Sequence, residues 1–149
     1  MRQIHQLGQA VAEIVTSGQT GRPKQVLDQI DEAARIHLDG TGADLRTLPP
    51  ETLLAMCDDD GEFDPEAAHA LARMLNLQGQ AHHERAEREK AGCAFGRSLL
   101  LYRRLLSEPE APVSWKIGTT VAALTEHVDT LPLDDATEAA LEDLRNGSR

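Results

Sequence analysis

Apolar residues recur along this chain at three- and four-residue spacing, the period of helices that bury one face. Ile4, Leu7, Val11, Ile14 and Val15 predict a first helix over residues 3–17, with Gln3, Gln6, Gln9 and Glu13 lining much of its opposite side. The stretch Ser17 to Gly21 ends it, and Pro23 suits the first turn of a second helix over 23–38. That helix turns Val26, Leu27, Ile30, Ala33, Ala34 and Leu38 inward, and Asp39 to Gly42 closes the hairpin. A short helix follows Pro49 and Pro50, with Leu53, Leu54 and Met56 as its apolar content.

Asp64 reads as an N-cap with Pro65 behind it, opening the main hairpin over 65–85 and 88–106. Leu71, Met74, Leu75, Gly79 and His82 share one face of its first helix. Ala91, Ala94, Phe95, Ser98, Leu99, Tyr102, Leu105 and Leu106 do so on the second, and Glu84 to Lys90 forms a polar turn. The small residues Gly79, Ala91 and Ser98 let the two backbones approach closely. Pro109 and Pro112 mark a linker, and Val113, Ile117, Val121, Leu124 and Val128 form the stripe of a further helix. Leu131 to Leu133 breaks it. Asp135 and Glu138 have the spacing of a capping box for a last helix, with Ala140, Leu141 and Leu144 inside and Gly147 as its stop.

The expectation is one all-α domain of stacked antiparallel helical hairpins over residues 1–149: a first hairpin over 1–40, a short helix and acidic turn over 48–62, the main hairpin over 64–106 and a C-terminal hairpin over 113–147. Composition agrees. Hydrophobic residues make up 40% but aromatics only 3%, so the interior is built from Leu, Ile, Val and Ala, and alternating β-branched runs are missing.

The formal net charge of −10 argues against nucleic acid as a partner. Charge is uneven, with twelve acids over 26–66 against Arg35 and Arg46, while 85–106 concentrates Arg85, Arg88, Lys90, Arg97, Arg103 and Arg104. A basic middle suits an acidic peptide or the acidic edge of a second copy; internal pairing and solubility are the plainer reading. Met1 to Gln6 has no apolar core segment and no stretch nears membrane-spanning length, which predicts a chain without a secretory leader or membrane contact. Cys57 and Cys93 lack metal-ligand spacing, and a cytoplasmic location follows.

Several chemistries fail on spacing. With Gly61 at the turn of a calcium loop, the first ligand would be Met56 and the closing acid Ala67. Glu66 and His69 make one half of a di-metal motif, but no second half exists, so a metal-dependent enzyme is the remote alternative. His82 lies on the apolar face and reads as a hydrogen-bonded core residue, and Trp115 as a plug at the junction between hairpins.

The spacing Gly79-x-x-His82, eight residues, then Ala91-x-x-x-Phe95 resembles a tetratricopeptide repeat, with Leu75 and Ser98 at further pattern positions. Gln78, His82 and Arg103 depart from that pattern, and the resemblance covers about half of the chain. The layout is also similar to a small bacterial family of uncharacterised helical proteins opening on Leu7-Gly8-Gln9-Ala10. The tetratricopeptide resemblance implies a right-handed superhelix of hairpins and a non-catalytic scaffold without cofactor or metal. It implies a groove where Arg73, Asn76, Gln80 and His83, with Glu84 at its margin, dock a protein or peptide, acidic ones included. A homodimer through the stripe Val113, Ile117, Val121, Leu124 and Val128 is the competing expectation.

Overall fold

Asp64 starts the central hairpin as its sequence requires: its carboxylate accepts from the backbone N–H groups of Glu66 at 3.1 Å and Ala67 at 3.3 Å. The computed structural model describes residues 8–14, 22–38 and 42–147, and among these the chain is all-α. Residues 8–14 form α1. The following helices are α2 (Pro23–Leu38), α3 (Gly42–Thr47), α4 (Pro50–Ala55), α5 (Pro65–Glu84), α6 (Arg88–Leu106), α7 (Ile117–Thr130) and α8 (Asp135–Gly147). A 3-10 turn, Val113–Trp115, precedes α7. Ile4, Leu7, Val15 and the two loops drawn around 17–21 and 39–41 lie outside the described residues.

Two short elements differ from the sequence reading. Residues 42–47, for which the sequence pattern predicts no element beyond the loop that ends at Gly42, form α3 and bury Leu45. The acidic turn is a small antiparallel hairpin, β1 (Asp58–Asp59) against β2 (Glu62–Phe63). Asp60 and Gly61 both take positive φ, 54° and 82°, as a two-residue hairpin turn demands.

The close approach within the main hairpin is real. A Cβ on Gly79 would stand 2.7 Å from the Phe95 ring, Ala91 is fully buried, and Ser98 Oγ donates to the Ala72 carbonyl at 2.7 Å. Between the helices Ala86 holds φ 61°, the left-handed conformation that ends α5, while Glu87 N–H closes back on His82 O at 2.9 Å.

α6 is the axis of the fold, buried on nearly every side from Ala91 to Tyr102, with α3, α4, α5, α7 and α8 all packed on it. The last two helices, expected to pair with each other, instead both pack principally on α6. Two glycines explain how. A Cβ on Gly92 would fall 1.9 Å from the Pro132 carbonyl oxygen, and one on Gly96 2.8 Å from Thr137. Beside them the buried Arg97 grips Asp134 at 2.7 and 3.2 Å and donates to Leu48 O at 2.8 Å. Asp134, not Asp135, caps α8, accepting from Thr137 N at 3.1 Å.

The stripe offered for dimerisation is largely spent on this packing. Ile117 and Leu124 are buried and Val121 and Val128 lie against the core, while Val113 alone of the five is 94% exposed. Among the described residues no helix is long and apolar enough to cross a membrane.

Candidate functional site

His69, Arg73 and Asn76 follow one another at helical spacing on the side of α5 that faces the 3-10 turn. With Leu77, Tyr102 of α6, Ser114, Trp115 and Thr120 of α7 they line a cleft of about 490 Å³. A neighbouring hollow of about 260 Å³ shares His69, Arg73 and Trp115 and extends toward Glu66 and Gln9.

The far wall owes its position to a backbone device. Pro112 is extended, Trp115 N–H bonds to Pro112 O at 3.1 Å, and Lys116 takes φ 54° before α7 begins. This turn lays the Trp115 indole flat on the His69 imidazole, with centroids 4.0 Å apart and planes 16° apart. Tyr102 meets the same imidazole edge-on at 6.1 Å. Trp115 thus closes the junction as expected and also becomes a wall of the cleft.

The electrostatics are simple. Burial, helped by the Arg73 charge, lowers His69 to about 4, so its ring is neutral near pH 7. Burial raises Tyr102 to about 12 against the opposing pull of Arg73, so the phenol keeps its proton. Arg73 is half-buried and has no carboxylate partner among the described residues. The larger cleft therefore carries one formal charge, a cation, among neutral hydrogen-bonding groups.

Of the residues predicted to dock a partner, the structure brings Arg73 and Asn76 together. Gln80 is exposed outside the cleft and donates to Asn76 Oδ1 at 3.1 Å. His83 and Glu84 are exposed and do not line it. His83 belongs to a separate ring cluster, edge-on to Phe95 at 6.4 Å and to His127 at 5.5 Å. His69, Tyr102, Ser114 and Thr120 were not foreseen as lining residues. For Tyr102 a signal was present, since a buried tyrosine brings a polar hydroxyl to the edge of a core.

Of the half-motif Glu66 and His69, His69 stacks on Trp115, and among the described residues no three His, Cys, Asp or Glu side chains stand together where they could hold an ion. The basic middle is also less available than its composition suggests. Arg97 is consumed by Asp134, Arg88 donates to Thr130 O at 2.6 Å, and the Arg104 guanidinium lies 3.8 Å over the Phe63 ring. The chain matches no protein-family model, no curated protein and no solved structure.

Proposed function

We propose that the chain is a cytoplasmic, non-catalytic docking module that holds an acidic peptide segment of a partner protein in the cleft between α5, α6 and the 3-10 turn. The observation that carries this reading is Arg73, a half-buried guanidinium with no carboxylate partner among the described residues, set in a cleft whose other groups are neutral. A lone cation in partly desolvated surroundings favours an incoming carboxylate and can bind it through two parallel N–H donors. Asn76 and Ser114 supply further hydrogen bonds, and the Trp115 and Tyr102 rings supply apolar contact area. A volume of about 490 Å³ accommodates a few side chains rather than a folded surface.

The test is a calorimetric titration with an acidic peptide and with its counterpart in which Asp and Glu are replaced by Asn and Gln. The acidic peptide binds the wild type, while the neutral one and the Arg73→Ala plus Asn76→Ala double variant lose roughly tenfold or more in affinity. Equal binding by the wild type and the double variant would remove the assignment.

A further inference from the structure

A second cleft, of about 250 Å³, lies on the other side of the main hairpin and shares no residue with the docking cleft. Four cationic side chains reach it from separate parts of the fold: Lys24 from the first turn of α2, Arg46 from α3, Arg85 from the end of α5 and Lys90 from α6. Such convergence is unexpected in a chain of net charge −10.

The carboxylates present do not account for it. Glu87 is shared by three partners: His82 Nδ1 at 2.7 Å, Arg85 Nε at 3.3 Å and Lys90 Nζ at 4.0 Å. Asp28 and Asp31 line the α2 side, so the four cations still outnumber the carboxylates around them. Arg46 stands apart. Its Nε is buried with no hydrogen-bond partner, and Arg46 makes no ion pair among the described residues. A guanidinium at the wall of a cleft with no carboxylate partner of its own favours an incoming anion. His82 senses the same excess of positive charge. Burial first, then the Arg46 and Lys90 charges, hold its imidazole below the ordinary value against the hydrogen bond it donates to Glu87 and that carboxylate's charge.

We propose that this cleft is an oxyanion site that takes a phosphate group, with Arg46 and Lys24 as the principal ligands and Arg85 and Lys90 turning from Glu87 toward the bound anion. Cations arriving from several directions match a tetrahedral dianion, whose oxygens point several ways, better than a flat carboxylate. The group comes either as free phosphate or as the phosphate of a small ester, and the two share this chemistry.

The experiment is calorimetry at low ionic strength and pH 7.5 with inorganic phosphate, glycerol phosphate and acetate, each up to about 10 mM, the range expected for an isolated oxyanion held by a few charged groups. Saturable one-site binding of phosphate, weakened tenfold or more by Arg46→Gln and less by the exposed-site variant Lys24→Gln, supports the site, and Arg73→Ala binds phosphate as the wild type does. Tighter binding of glycerol phosphate assigns a phosphoester, and equal or weaker binding assigns free phosphate. Acetate binding as tightly as phosphate, no saturable binding of phosphate, or unchanged binding in both the Arg46 and Lys24 variants would overturn it.

Discussion

His69 and Trp115 stack with their centroids 4.0 Å apart, joining the main hairpin to the turn that follows it 46 residues later in the chain. Burial of this imidazole, with the Arg73 charge beside it, favours its neutral form. His69 titrates at about 4 in the folded chain against 6.5 for an unhindered histidine, so between those values the unfolded chain binds more protons. Stability therefore falls as pH drops from 6.5 toward 4, and what is lost there is regained on the way back up. Urea melts of wild type and His69→Phe at pH 7 and pH 4.5 check this. The variant shows the smaller loss, with a residual slope from His82, whose shift has the same direction.

Gly92→Ala and Gly118→Ala are the same substitution with opposite outcomes. At Gly92 the new methyl meets a backbone carbonyl, which cannot swing away, and the cost is about 1–3 kcal/mol or more through lost docking of the 131–137 segment on α6. At Gly118 nothing lies within 4 Å, and alanine stabilises α7 by up to about 1 kcal/mol. Chemical denaturation of both variants measures the contrast.

Asp134→Ala is expected to destabilise more than Arg97→Met. Removing the acid leaves a guanidinium 3% exposed with its charge unpaired, a loss of about 3–5 kcal/mol, and strips the N-cap from α8. Removing the arginine leaves a carboxylate 31% exposed, which water and Thr137 still solvate. Burial raises the Asp134 carboxyl, but hydrogen bonds from Arg97 and Thr137 outweigh it and hold the group below its ordinary 3.8. The stabilisation is thus complete above that value and disappears as pH falls through the folded-state one. Melts of both variants at neutral pH give the order.

Ala86→Gly should stabilise the hairpin by about 1 kcal/mol, because alanine holds a left-handed conformation at φ 61° that glycine adopts without strain. A raised denaturation midpoint at unchanged slope is the expected readout.

Periodic burial made the long helices legible in the sequence, along with the Asp64 cap and the Gly79, Ala91 and Ser98 contact. These depend on neighbours within a single hairpin. What stayed hidden depends on residues far apart in the chain. Gly92 and Gly96 reveal their purpose only once Pro132 and Thr137 lie over them, and Arg97 looks like part of a basic stripe until Asp134 and Leu48 surround it. The cleft divides the same way. Arg73 and Asn76 were readable as the wet side of one helix, whereas the opposite wall required knowing where the left-handed turn at Lys116 sends Trp115.

Trp115 is the only tryptophan of the chain, so its fluorescence reports on the docking cleft without a label. Titration of the wild type with an acidic peptide should move its emission to a saturable limit, with no such change in the Arg73→Ala plus Asn76→Ala variant. An emission indifferent to the peptide, or one that shifts alike in both proteins, would contradict the docking reading.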